Sequence, residues 1–501
     1  MKIFLMSALA ILLVSCGQKA DYLVPEEIII AGQIINYDPG LEKNILTIYV
    51  NDNGRADQLQ YPSKIDSLGY FKVGFKRYYP QDVMISYITN FRVIVHPGDS
   101  LYVEFDGSTN KRTEIFKTSK YFGESAESNK QLSKYLLGYF ENHPNFEVLE
   151  KYERLLSPAD YILFQDSIRH STELRRDQFI KEHAPNEEVI RWINSSIWVD
   201  YCEFLFQYPR KHRDYNELPF AWNVDDSYWS FLDSVPNLDL ETLIYSNSRA
   251  FINQYLHFYI WETARRNAGS ISMSNADSLL IQAILELTPD EGLIRQLTFN
   301  EYVNSRFSKY DLTVFENYKA EIHDVITEAY LIEPINLRYL ALREIIEKPV
   351  FAKDIEVNTI SDASASAIWD RILADGKDRV IYIDCWATWC SPCIGEIPSS
   401  NQMMEEFRDK NVEFVFLCLD SEENKWRYVL ADKQFEGQHY FLNDAQGAYF
   451  KELLDIRGFP TYVIIDQSGR IVRSGSDLRP SHESTKTIIK EMIEDHGMPD
   501  A

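Results

Sequence analysis

Trp389-Cys390-Ser391-Pro392-Cys393 is the stretch on which the reading of this chain turns. Ahead of it, Val380-Ile381-Tyr382-Ile383 is a buried strand by composition and runs into Asp384-Cys385-Trp386-Ala387-Thr388. Behind it the sequence becomes helical, so the cysteine pair follows a strand and opens a helix. Pro392 suits the first turn of that helix, where no hydrogen-bond donor is lost. Cys390 then sits at the helix N-terminus, where free N–H groups and the dipole favour a thiolate. Thiol pKa values in such settings fall from about 8.5 to as low as about 3.5. Cys393, one turn later and expected to be the more buried, is placed to attack a mixed disulfide formed at Cys390. The expectation is a two-thiol exchange centre with a Cys390–Cys393 redox disulfide. Zinc is the alternative for any Cys-X-X-Cys, and a structural zinc site wants four ligands. Cys385 lies in the strand, Cys418 is single, and His439 and His482 have no partner spacing, so no metal site is expected.

Working outward, the region from Pro349 to the C-terminus alternates strand and helix. Val412 to Leu419 is a second apolar strand, Ser399 to Arg408 is helical, and Tyr462-Val463-Ile464-Ile465 is a third strand turning at Asp466-Gln467-Ser468-Gly469. Such alternation indicates a βαβ layout. Asp384, Trp386-Ala387, the Cys390–Cys393 motif and a later Gly458-Phe459-Pro460-Thr461 together resemble thioredoxin. Glu396-Ile397-Pro398 and the extra βα segment before Pro460 resemble its TlpA/ResA branch of exported, membrane-tethered disulfide reductases. The resemblance covers about the last 150 residues.

Residue by residue, the resemblance implies that Cys390 is the nucleophile and Cys393 the resolving thiol. Pro460 matches the family's cis-proline beside the disulfide, where neighbouring backbone pairs with an extended substrate. Trp389, Pro392, Phe459 and Thr461 are the remaining expected substrate-binding positions. Asp384 falls where thioredoxin keeps a buried acid; a carboxyl buried there has a raised pKa and can accept a proton from Cys393. Its other reading is a strand-end acid reaching solvent. Glu396, on the helix after Cys393, is expected either to tune the thiols or to be an exposed helix acid. The sequence departs from thioredoxin twice. Ser391 replaces a glycine between the cysteines, which leaves the redox direction open. Leu419-Asp420-Ser421 stands where thioredoxin has a lysine near its buried acid, so that acid is expected to titrate differently. Cys385 and Cys418 are expected to be packing residues. The family also implies no bound cofactor, disulfide-containing envelope proteins as substrates, and a membrane electron donor of the thiol–disulfide interchange type.

Toward the N-terminus the patterns change. Residues 24–122 read as β: Ile28-Ile29-Ile30, Ile45 to Val50, Val83 to Tyr87 and Val93-Ile94-Val95 are β-branched or aromatic runs. The turn clusters Asn51-Asp52-Asn53-Gly54 and His96-Pro97-Gly98-Asp99-Ser100 separate them, and an antiparallel β-sandwich is expected. Residues 124–348 read as an all-α domain of several short helices. Leu132, Tyr135, Leu136, Tyr139 and Phe140 form an amphipathic stripe. Ser157-Pro158-Ala159-Asp160, Ser274-Asn275-Ala276-Asp277 and Thr288-Pro289-Asp290-Glu291 are helix starts, and Pro209, Pro219, Pro236 and Pro334 punctuate the rest. The aromatics there, among them Trp192, Trp198, Tyr201, Phe206 and Trp229, read as core in preference to a binding groove, with Cys202 an inert thiol in their midst. Residues 350–498 form the α/β thioredoxin-like domain, which makes the chain multidomain.

The first residues stand apart. Lys2, the apolar run Ile3 to Val14 and then Ser15-Cys16-Gly17 describe a secretory leader over residues 1–15, too short to span a bilayer. Leu13-Val14-Ser15-Cys16 resembles the lipobox of bacterial lipoproteins, which makes Cys16 the expected lipidation site and the anchor to a membrane of the cell envelope, periplasmic side; a plain signal peptide is the other reading. A formal net charge of −25 argues against nucleic-acid partners. After Cys16, the five remaining cysteines are an odd, sparse set with one tight pair, which suits a working site and not a disulfide framework. Three functions compete: a lipid-anchored reductase, a binding protein with a relic thioredoxin fold, and an oxidase or isomerase. The intact cysteine pair with Pro460 favours the first.

Overall fold

The computed structural model describes residues 24–41, 44–142, 146–236, 238–268, 276–290, 292–358 and 363–494 of the 501. The leader, Cys16, the Ser274-Asn275 helix start and Glu291 lie outside them. The chain divides into two compact units: Met1–Tyr302 with Ala320–Pro334, and Val303–Lys319 with Ile335–Ala501.

The first unit opens with eight strands: β1 (Glu26–Ile35), β2 (Ile45–Asp52), β3 (Asp57–Lys64), β4 (Tyr70–Arg77), β5 (Gln81–Ser86), β6 (Asn90–Val95), β7 (Ser100–Asp106) and β8 (Lys120–Phe122). They form two four-stranded sheets, ordered β4-β1-β7-β8 and β3-β2-β5-β6. Alternation sets the buried faces: Ile28 and Ile30 of β1 and Phe71, Val73 and Phe75 of β4 point inward. One pair departs from the expected antiparallel pattern. β1 and β7 run parallel, Ile30 opposite Leu101, which is open to strands so far apart in sequence that no hairpin constrains them.

Helices follow, and two of them are long. Pro158–His183 starts where Ser157 accepts the Asp160 N–H at 3.3 Å, and Glu187–Tyr215 where Asn186 accepts the Val189 N–H at 3.0 Å. Pro209 and Pro334, read above as breaks, both lie inside helices, Glu187–Tyr215 and Ala329–Glu347. An interior proline costs about 3 kcal/mol. Here the surrounding residues outweigh it: Leu205, Phe206 and Tyr208 beside Pro209 are fully buried, as are Leu331 and Ile335 around Pro334. Trp192, Tyr201, Phe206, Trp229 and Phe231 are core, as expected, while Trp198 and Cys202 border a cleft of about 310 Å³.

The second unit holds β9 (Ile355–Asn358), β10 (Val380–Trp386), β11 (Val412–Cys418), β12 (Gly437–Phe441), β13 (Thr461–Ile465) and β14 (Ile471–Gly475), ordered β14-β13-β10-β11-β12-β9. β10 is central, parallel to β11 and antiparallel to β13, and buried along its whole length. That is why its first four residues, Val380-Ile381-Tyr382-Ile383, read as an apolar run without alternation. Its alternate residues serve two cores. Val380, Tyr382 and Trp386 pack with Cys390 and Cys393 on one face, and Ile381, Ile383 and Cys385 pack with Val463 and Ile465 on the other.

This unit does not begin at the boundary read near Pro349. Val303–Lys319 and the stretch from Ile335 belong to it. Tyr310 packs against the core that holds the cysteines, lies 5.8 Å from the Tyr428 ring and donates to Asp432 at 2.9 Å. A fragment beginning at Val303 is therefore expected to melt above one beginning at Val350, which lacks this ring. Burial and the bond together are worth about 1–3 kcal/mol. Equal melting curves for the two fragments would show that the segment adds nothing.

Candidate active site

Cys390 is the N-cap of the helix Ser391–Glu406, and its sulfur accepts the Cys393 N–H at 3.2 Å. The helix begins here because Cys390 is extended, while Pro392 fills the first turn without losing a bond. A free N–H aimed at a sulfur favours negative charge on that sulfur. The two cysteines are joined as a disulfide, with Cα atoms 5.3 Å apart. They are equally buried, each 3% exposed, so the expected difference in depth is absent. What separates them is position: Cys390 caps the helix, and Cys393 lies inside its first turn.

The surface over the disulfide is built from the predicted residues. Ser391 and Pro392 are exposed, and Trp389 is 65% exposed. The Trp389 indole packs edge-on against Phe459, ring centres 5.7 Å apart, and donates to the Asp420 carbonyl at 2.8 Å. The Phe459–Pro460 bond is cis, and Thr461 is buried with its hydroxyl bonded to the Gly458 carbonyl at 2.7 Å. Asp420 and Ser421, which replace the lysine of the thioredoxin pattern, hold the approach to the motif: Ser421 Oγ accepts the Thr388 N–H at 2.9 Å. A cation does reach this turn from elsewhere, since Lys451 bonds both Asp420 oxygens at 2.8 and 2.6 Å.

Asp384 lies beneath. It shares the β10 face of Tyr382 and Trp386, the face that packs on the disulfide, and is 3% exposed. Its Oδ1 has no hydrogen-bond partner among the described residues. Burial and then the charge of Glu396 push its pKa well above the usual carboxylate range. The strand-end reading, an acid reaching solvent, does not hold. Glu396 is not an exposed helix acid either: it is 9% exposed, bonded by Arg479 Nη1 at 3.3 Å, the Ser481 N–H at 3.1 Å and Ser481 Oγ at 3.0 Å. Sequence reading missed Lys451, Arg479 and Ser481, because each arrives from far along the chain with no motif around it.

The other thiols are inert by setting. Cys385 faces the opposite core, and Cys202, Cys385 and Cys418 are all buried. Burial raises all three, Cys418 to about 12. Among the described residues no group of three or more His, Cys, Asp or Glu is placed to hold a metal, and no helix is long and apolar enough to cross a membrane.

Residues 372–491 match the Redoxin family. The chain is 28% identical over 121 residues to thiol-disulfide oxidoreductase ResA of Bacillus thuringiensis subsp. konkukian, a match covering 24% of this chain and 65% of that protein. With ResA of Bacillus subtilis it shares 26% over 161 residues, covering 31% and 83%. Among solved structures, the thioredoxin domain of a thiol-disulfide oxidoreductase from Bacteroides vulgatus is 23% identical, covers 24% of this chain and 84% of its own, and has a TM-score of 0.23. The chain thus spans just under two thirds of the length of the first of these relatives.

Proposed function

We propose, on the premise that the C-terminal domain is a ResA-like member of the thioredoxin superfamily, that the chain is an extracytoplasmic thiol–disulfide oxidoreductase working in the reducing direction. One observation carries this: a cysteine pair, bonded as a disulfide, with Cys390 capping a helix beside the Phe459–Pro460 loop. In the reduced enzyme the Cys390 thiolate attacks one sulfur of a target disulfide. A Cys390–target bond forms, and the other target sulfur leaves as a thiolate and takes up a proton. Cys393 gives its proton to Asp384, and its sulfur attacks Cys390 Sγ. The Cys390–Cys393 bond closes, and the second target thiol departs. The target gains two electrons and two protons. A membrane donor of the thiol–disulfide interchange type returns them to the enzyme. Trp389, Pro392, Phe459, Pro460 and Thr461 form the surface on which an extended segment of an envelope protein lies.

The measurement that tests the direction is the reduction potential of the purified protein. A value near about −270 mV, where thioredoxin lies, supports reduction; a value near about −120 mV, where strong oxidants lie, would reverse it.

Cys16 is the proposed lipid anchor, holding the protein to an envelope membrane on the periplasmic side. Several acyl chains on one residue give stable attachment, where one chain binds marginally. Cys16→Ala is expected to release the protein from membranes or leave its precursor uncleaved. Processed Cys16→Ala protein that stays with the membrane through carbonate washing would show that something else holds it.

A further inference from the structure

Two buried acids flank the cysteine pair along the chain, Asp384 before it and Glu396 after it, and their surroundings are opposite. Glu396, one turn beyond Cys393, receives three donors, one of them the Arg479 guanidinium. Asp384, on the strand that leads to Cys390, has an oxygen with no donor at all among the described residues. Donors and a cation favour the charged form of a carboxyl, and their absence in a buried site favours the proton. We propose that Arg479 and Ser481 are positioning residues: by clamping Glu396 as a carboxylate, they leave Asp384 as the member of the pair that exchanges a proton with Cys393. This rests on the reading of Asp384 as proton acceptor given above.

The groups facing Asp384 agree with this division. Tyr382 on the same strand commits its hydroxyl to the Leu478 carbonyl at 2.7 Å. Cys385 beside it, Cys418 on β11 and Tyr462 on β13 are all held neutral by burial, with the Asp384 charge pushing each the same way. Glu396 is the charged group that acts on Asp384, and Arg479 is the cation bonded to Glu396. The charge of Glu396 raises Asp384, so whatever compensates that charge sets where Asp384 titrates. Arg479 is 31% exposed, so replacing it opens no closed cavity in the core.

The sign follows directly. Asp384 must be ionised to accept the Cys393 proton, so activity falls on the acid side of its titration. Removing the Arg479 cation leaves the Glu396 charge less compensated, Asp384 holds its proton more tightly, and the acid limb moves to higher pH. Removing the Glu396 charge moves it to lower pH.

The test is the pH profile of dithiothreitol-coupled insulin reduction by the full-length chain. Arg479→Met is expected to move the acid limb alkaline by about half a pH unit with the plateau rate retained. Arg479→Lys should keep the wild-type limb, Glu396→Gln should move it acid, and Arg479→Met should have no further effect in the Glu396→Gln background. Ser481→Ala, which removes one donor, should give a smaller alkaline shift and serves if Arg479→Met does not fold. A uniform loss of rate with the limb in place would assign Arg479 a merely structural role and overturn the proposal. So would an equal shift with and without Glu396. Asp384→Asn separates the two levels: if it leaves the acid limb intact, the parent reading of Asp384 falls together with the clamp. A limb that Asp384→Asn abolishes and Arg479→Met does not move sinks the clamp alone.

Discussion

Cys390→Ser is expected to reduce insulin no faster than dithiothreitol alone, and Cys393→Ser to accumulate a covalent adduct with its target. The first variant loses the sulfur that caps the helix and accepts the Cys393 N–H, so no thiolate is favoured at the helix start, next in the chain to Trp389. The second keeps that thiolate. It completes the first attack and then stops, because no second sulfur is present to expel the target. Non-reducing electrophoresis followed by mass spectrometry distinguishes the outcomes. Adducts held by Cys390→Ser and absent from Cys393→Ser would invert the assignment of nucleophile and resolving thiol.

Asp384→Asn is expected to act in opposite directions on activity and stability. Loss of a positioned proton acceptor lowers turnover about a hundredfold. Stability changes the other way, and its pH dependence has a definite sign. The native pKa of Asp384 lies well above its unfolded value of 3.8, so between those two values the native state binds more protons than the unfolded one. Stability of the wild type then falls as pH rises through that window. Asparagine keeps the shape and removes the charge. The variant should melt several degrees above wild type at pH 8, and the gap should close as pH drops below about 4. A variant that melts lower than wild type at pH 8 would show that Asp384 is stabilised by partners other than those described.

Both predictions rest on residues whose surroundings were unequally legible. The cysteine pair could be read because its determinants are local: a buried strand, a cap, and a proline in the first turn, all within about a dozen residues. The depth of Glu396 could not. A single acid on a helix carries no periodic signal of which face it occupies, and its partners lie 83 and 85 residues away. Tyr310 was hidden for a similar reason. It sits in a stretch that reads as part of the preceding domain, and its partners Tyr428 and Asp432, the second 122 residues on, are what show that it belongs with the sheet. Pro209 and Pro334 misled because a proline marks a local cost, and the burial that overrides it is a property of the whole helix. The parallel β1–β7 pair likewise depends on a crossover that alternation within one strand does not encode.

The placement of the remaining thiols makes the molecule its own bookkeeper of electrons. Cys202, Cys385 and Cys418 are all buried, and the working pair is closed on itself. Among the described residues, then, the oxidised fold offers a maleimide nothing to label. Reduction frees the thiols of Cys390 and Cys393, and a protein molecule labelled there is one that had received its two electrons. A gel-shift assay could therefore count the charged fraction of the population, with the buried Cys202, Cys385 and Cys418 adding no background under native labelling.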